Sequence, residues 1–380
     1  MIKTDVFISG GGVAGLTAAA AFGTAGYSVL IADPMPPITD DATDGADLRT
    51  TAFLQPARSF LIAAGLWDRL APFAASLQVM RIVDAGGPTP TPRVTRDFDA
   101  ADIGDLPFGW NLSNWLLRRE MVARLAELPN VDFRTGVGFA SMLTRTNEAR
   151  VTLTDGTRIT SKLVIGADGR NSPVRQAAGI AAKTTRFGQK AVTFAVTHNA
   201  PHENVSTEVH RTGGPFTLVP LPDHEGKPCS AVVWMEAVRL AALPIDEFNE
   251  EATLRSAGTY GPLTLVSRRM VWPIISQIAD KLSAERVAIV AEAAHVVPPI
   301  GAQGLNMSLA DMACLLDLAQ ANPDTLGSST LRVKGVGMLN RASQAENPLL
   351  RDLRAKGVEA LYGVAPLRKT LMKIGLGAKG

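Results

Sequence analysis

GGGVAG at residues 10–15 follows the strand-like run Asp5-Val6-Phe7-Ile8-Ser9 and opens an alanine-rich stretch, from Val13 to about Ala25, that reads as a helix. In a strand–turn–helix of this kind Gly10 makes the tight turn, Gly12 lets a pyrophosphate approach the backbone, and Gly15 lets helix pack closely on strand. Val13 and Ala14 open the helix, whose first N–H groups lack partners and carry a partial positive charge suited to phosphate. A second strand, Tyr27 to Ala32, ends at Asp33, 18 residues after Gly15. An acidic side chain at that place accepts hydrogen bonds from a ribose hydroxyl pair. The spacing predicts a Rossmann-like dinucleotide unit and leaves NAD and FAD both open.

Two later stretches have the same strand-to-turn form. Leu163-Val164-Ile165 reads as a buried strand running into GADGRNSPVR at 166–175, which carries Asp168, with Ser172 and Arg175 opening the next helix. Arg286 to Val290 is another buried strand. It runs into AEAAHVVPPIGAQGLN at 291–306, which carries Glu292, a Pro/Gly loop from Pro298 to Gly304, and a helix from Leu305 to about Ala319.

In this order and spacing, and with GWNLSNWLLRREM at 109–121 and PPIGAQGLNMSLAD at 298–311, the chain resembles the group A FAD-dependent aromatic monooxygenases over nearly its whole length. Within that family, whose fold is that of para-hydroxybenzoate hydroxylase, it looks most like the ubiquinone-biosynthesis hydroxylases. The resemblance implies FAD as cofactor, with NAD(P)H and O2 as co-substrates. It also implies hydroxylation of a phenolic, polyprenylated ring through a flavin C4a-hydroperoxide. It places Asp168 near the flavin and the transient pyridine nucleotide, and Glu292 on the ribityl chain and pyrophosphate. The loop of Pro299, Gly301 and Gly304 then cradles the isoalloxazine ring. It puts Arg49 beside the flavin or the entering nicotinamide, and Arg118, with Arg119 as rival in register, beside the FAD phosphates. Two departures stand out. Ala291-Glu292 replaces the family's Gly-Asp, which lengthens the acid and gives up glycine's free access to positive φ; Asp33 stands where glutamate is common.

Reduced flavin carries negative charge around N1 and the C2 carbonyl. A helix N-terminus offering the N–H groups of Gly304, Leu305 and Asn306 suits that locus. Flavin-borne oxygen chemistry calls for a dry pocket more than for a named acid or base. Accordingly no residue is assigned a catalytic role: there is no Ser-His-Asp order, no HExxH, no carboxylate pair and no metal-ligand spacing. His295, after a buried strand, reads as structural.

The flavin stretches require a discontinuous FAD-binding domain, 1–75, 116–185 and 282–345. The segments 76–115 and 186–281 between them form a substrate domain, and 346–380 a C-terminal helical segment. The fold class is thus α/β, with an inserted antiparallel sheet. Period-two runs such as Ala191–Val196 and Ala231–Trp234 carry that sheet, and Trp110, Phe216 and Trp234 are candidate pocket residues. The run Asp40, Asp41, Asp44, Asp47 reads as a solvated loop. Lys+Arg 38 against Asp+Glu 36, a net charge of +2, excludes nucleic acid as the expected partner. Cys229 and Cys314 have no paired spacing and read as buried thiols. The chain enters its first strand by Asp5, so no signal peptide is expected. No apolar run reaches the ~20 residues that span a bilayer.

A cytoplasmic homo-oligomer is expected, acting on a lipid-soluble phenol and meeting other subunits of a ubiquinone-biosynthesis complex. Residues 351–380 hold seven basic and two acidic side chains, 7 − 2 = +5. Leu367, Leu371 and Ile374 recur there at near-helical spacing. Such a segment either lies on the inner face of an anionic membrane or packs on protein. Two other functions stay open: a flavin reductase of isoprenoid double bonds, and a non-catalytic FAD-holding subunit of a biosynthetic complex.

Overall fold

The computed structural model describes residues 1–86, 91–211, 214–235, 238–299 and 302–322, with Leu326, Lys369 and Met372 beyond them. Its frame is a mainly parallel sheet. Strand β1 (Ile2–Ser9) lies between β2 (Val29–Asp33) and the strand Arg158–Gly166. Val131–Thr135 flanks β2, and Val287–Ile289 flanks Arg158–Gly166, every one of these pairings parallel. Both faces are covered, as parallel sheets require. Val6 and Ile8 point into a core shared with helix α1 (Val13–Thr24) and the helices Asn114–Ala126 and Gln303–Ala321, while Phe7 points into a second core with Val164 and Ile289. Helix α1 is apolar all round and buried; its small alanines let it sit between the sheet and its helical neighbours.

A second sheet is built from two separated segments. Val79–Asp84 pairs with Val205–Arg211, and so joins residues from before and after the middle of the first sheet in one layer. That pairing is parallel, although the sheet is otherwise antiparallel as its alternating sequence predicts. The helix Ile245–Arg255 covers one face through Phe248, against Phe194 and Trp234.

The strands run across the domain bounds expected from sequence. Ala182–Thr197 is one continuous strand, paired with Met270–Ala279 from its first residues, so a bound at 185 falls inside it. Gly109–Ser113 pairs with β3 (Thr50–Leu54) and Ala75–Leu77 in a small sheet, and its Trp110 and Leu112 belong to the nucleotide-domain core. A short strand, His295–Val296, pairs with Gln277 and Ile278 and ties the third stretch to the second sheet.

No helix among the described residues is long and apolar enough to cross a membrane. The expected C-terminal helix, 346–380, lies outside the described residues except for Lys369 and Met372, both helical. Met372 is buried against Ala100 and Phe108.

Candidate functional site

Register brings the three stretches to one edge of the parallel sheet. Ser9 aligns with Ala32 on one side and Gly166 on the other, and Gly166 aligns with Ile289. The turns that follow these strands therefore stand side by side at their carboxyl ends, where open α/β sheets bind ligands.

The three glycines of the first turn differ in what surrounds them. Gly10 sits at φ +111, and a Cβ there would lie 2.4 Å from the Ala167 carbonyl oxygen; a Cβ on Gly15 would lie 1.9 Å from the Gly10 oxygen. These two serve the fold. At Gly12 a Cβ would meet nothing within 4 Å. Helix α1 begins just beyond it with no capping side chain and no acid in its first turn. Open space beside unpaired N–H groups, with Val13 and Ala14 at its rim, fits the pyrophosphate of a dinucleotide. Asp33 accepts from the Gly11 N–H through Oδ2 and from Met35 through Oδ1, so its carboxylate is held at the end of β2 beside the turn.

The second and third stretches are fastened to each other. Arg175, buried, donates to the carbonyls of Ala293 and Arg170, both at 2.8 Å, and Gln277 donates to the same Arg170 carbonyl. Arg170 in turn lies 3.6 Å from Glu292, whose side chain is 47% exposed at the rim. Asp168 accepts from Ser9 and Val174 through Oδ2, while its buried Oδ1 has no partner among the described residues. Burial raises its carboxyl above the ordinary value, against the pull of those hydrogen bonds. Ala291 takes the left-handed conformation, φ +53. The backbone turn that glycine makes freely is thus retained by an alanine.

Arg49 and Arg118 meet at a carboxylate that sequence reading misplaced. Asp47 is no solvated loop residue: it is 6% exposed and grips Arg49 through two bonds, Nε to Oδ1 at 2.8 Å and Nη2 to Oδ2 at 2.7 Å. Asn114 donates to the same Oδ2, and Arg118 lies 3.7 Å away. Burial pushes the Asp47 carboxyl up, but Arg49, Asn114 and Arg118 outweigh it and hold the carboxyl below its ordinary value. Burial likewise works against the Arg49 charge, and Asp47 with Glu292 reverses that. Asp40, Asp41 and Asp44 are exposed as expected; only tertiary contact separates Asp47 from them. Of the neighbouring arginines, Arg118 stands by Asp47, whereas Arg119 pairs with Glu120 and lies over Phe73 and Trp115.

The helix after the Pro/Gly loop starts two residues earlier than expected, at Gln303, with Ala302 as a left-handed cap at φ +55. Its first turn is therefore Gln303, Gly304 and Leu305, while the Asn306 N–H enters the helical ladder. The Asn306 side chain accepts from Leu54 N–H and donates to the Ala52 carbonyl, pinning this helix to β3. Pro299 is exposed at the loop, and Gly301 lies outside the described residues. His295 is buried with its Nε2 at 2.9 Å from Asp311, itself buried on the following helix. That pair joins the third stretch to its helix, and its sixteen-residue separation gave Asp311 no local signal.

The three proposed pocket residues are placed elsewhere. Trp110 packs edge-on against Trp67, with Arg58 over both rings. Phe216 and Trp234 pack on each other and on the Phe194–Phe248 cluster, 0% and 1% exposed. All three fill core rather than wall a cleft, because the apolar face of each strand turns to the layer behind it. Cys229 is buried, which pushes its thiol up to about 11. The described residues hold no cluster of His, Cys, Asp and Glu that would bind a metal.

Residues 3–321 match the family described as FAD binding domain. The chain is similar to ubiquinone hydroxylase UbiL of Rhodospirillum rubrum, 32% identical over 82% of this chain and 71% of that protein. It is also similar to 3-demethoxyubiquinol 3-hydroxylase of Escherichia coli, 23% identical over 98% of each. Among solved structures, p-nitrophenol 4-monooxygenase PnpA from Pseudomonas putida shares the fold at a TM-score of 0.74 and 17% identity, over 100% of both chains.

Proposed function

Because the chain belongs to the FAD binding domain family, we propose that it is an FAD-dependent monooxygenase of ubiquinone biosynthesis, hydroxylating a phenolic, polyprenylated ring with NAD(P)H and O2. The observation that carries this is the alignment of Ser9, Gly166 and Ile289, which sets all three flavin turns on one edge, in a chain 32% identical to a ubiquinone hydroxylase. FAD, when bound, supplies hydride acceptance and oxygen activation.

The chain's own residues supply position. Gly10, Gly12 and Gly15 shape the turn; Val13 and Ala14, at the start of α1, receive the pyrophosphate, with Arg118 beside it and Asp33 on the ribose. Asp168 and Glu292 flank the cofactor from the second and third stretches. The N–H groups of Gly304 and Leu305, at the start of this helix, would serve the locus where reduction leaves negative charge, and the helix dipole would favour that charge. The bonds of Asn306 to β3 fix the helix against the nucleotide domain.

The test is oxygen uptake by the purified holoprotein with NAD(P)H and prenylated or small polar phenols. Oxygen consumption matched by hydroxylated prenylphenol supports the proposal. Turnover of small polar phenols alone moves the enzyme to a catabolic role, and reduction of an isoprenoid double bond without oxygen makes it a reductase. Bound FAD with no NAD(P)H consumption under any condition leaves a non-catalytic subunit.

The finer expectations of a homo-oligomer, complex subunits and peripheral membrane contact extend this proposal. The burial of Met372 against Ala100 and Phe108 favours contact of that residue with its own protein. Co-sedimentation with anionic vesicles, strong for the full chain and lost for one ending at Tyr362, is the result that assigns the tail to the membrane.

A further inference from the structure

We propose that Asp47 and Trp272 are positioning residues that fix the plane of the Arg49 guanidinium, so that it meets the planar heteroaromatic ring of a flavin or a nicotinamide at a set angle. This rests on the placement of Arg49 in the flavin site.

The geometry is specific to a flat cation. A guanidinium has two faces and a rigid edge of donors. Its edge is taken by Asp47 in a two-point fork, Nε to Oδ1 and Nη2 to Oδ2. One face lies over the Trp272 ring, with the guanidinium carbon 4.0 Å from the ring centroid. The Arg49 side chain keeps 36% of its surface exposed, so the held cation stays within reach of a ligand. An arginine held in this manner loses little freedom when a ring stacks on it, since its rotamers are already restricted.

The two holders come from different layers. Asp47 is buried in the nucleotide domain, where Asn114 and Arg118 share its carboxylate. Trp272 stands on the strand Met270–Ala279 of the second sheet, oriented by its own N–H bond to Thr193 at 3.2 Å. A second tie runs beside the first: Arg268 pairs with Asp44 and donates to the carbonyls of Asp41 and Thr43. The segment carrying Arg49 is thus stitched to the second sheet at two points, and the guanidinium plane is set by the relation of the two layers. A ring stacked on Arg49 therefore meets a surface that belongs to both.

The test compares Trp272→Phe with Trp272→Leu, and Asp47→Asn, each alone and combined with Arg49→Ala, in the holoprotein. FAD dissociation constants by flavin fluorescence and separate KM and kcat values for NAD(P)H are measured. The first reads flavin stacking; a KM change with constant kcat reads nicotinamide stacking. Trp272→Leu weakens the affected ring by about 3–10-fold and Trp272→Phe by less than about twofold, since phenylalanine keeps a π face and leucine keeps only bulk. Asp47→Asn weakens it by about tenfold. In the Arg49→Ala background these substitutions add nothing. Equal behaviour of the phenylalanine and leucine variants, or losses that add fully to that of Arg49→Ala, overturns the proposal. Arg49→Ala with no effect on either ring instead removes Arg49 from the site. If Asp47→Asn fails to fold, the Trp272 pair decides alone.

Discussion

Ala291 is the place where the sequence departs from a glycine-based flavin turn and where the backbone still takes the glycine conformation. An alanine at φ +53 bears a steric cost of about 1–2 kcal/mol relative to ordinary helical or extended backbone. Ala291→Gly removes that cost. It also returns about 0.4–1 kcal/mol of conformational entropy to the unfolded chain and deletes a buried methyl worth about 0.8 kcal/mol, since the residue is buried in the nucleotide-domain core. The three terms nearly cancel, so the variant is close to neutral. Ala293→Gly, two residues on, is the internal control: it is fully buried and is not among the residues with positive φ. It loses the same methyl and the same entropy with no strain to relieve, and falls by about 1–2 kcal/mol. Urea unfolding of the two apoproteins, with unchanged slopes, measures the gap between their midpoints. Equal losses for both substitutions would refute the claim that Ala291 stores strain.

Three further outcomes follow from the site. Gly12→Val abolishes FAD binding while apoprotein melting stays within a few degrees, whereas Gly15→Ala unfolds the turn because its Cβ would lie 1.9 Å from the Gly10 oxygen; equal melting of the two variants would contradict this division. Glu292→Asp retains FAD and Glu292→Ala weakens it by roughly 1–3 kcal/mol, read by flavin titration, and an unchanged alanine variant removes the residue from the site. Asp47 has a folded pKa below its ordinary value, so its stabilisation is complete above the unfolded value of about 3.9 and is lost as pH falls through the lower folded one. Asp47→Asn therefore destabilises by roughly 1–3 kcal/mol at pH 7, reduced by the solvent exposure of Arg49; the difference from the parent shrinks below about pH 4. A difference constant with pH would show that the Asp47 charge is not involved.

Local signals carried the nucleotide site far. The glycines at 10, 12 and 15 and the acid at 33 are spaced by the geometry of one strand, one turn and one helix, so their roles follow from sequence separation alone. Alternation of apolar and polar residues likewise announced the second sheet, because strand side chains alternate whatever the partner. Neighbour relations across the molecule are different in kind. Nothing local separates Asp47 from Asp40, Asp41 and Asp44; it is buried because Arg49, Asn114 and Arg118 converge on it from two elements. Trp110, Phe216 and Trp234 are as suited by type to a pocket as to a core, and the layer behind each strand decided for the core. His295 acquired Asp311, and Arg49 acquired Trp272, from residues sixteen and more than two hundred positions away. Spacing along the chain determined which backbone forms the turns proposed to meet the cofactor, because that is set by bonds within a turn; which charged side chains stand beside those turns was decided only when two sheets packed, because burial and pairing are properties of the assembled layers.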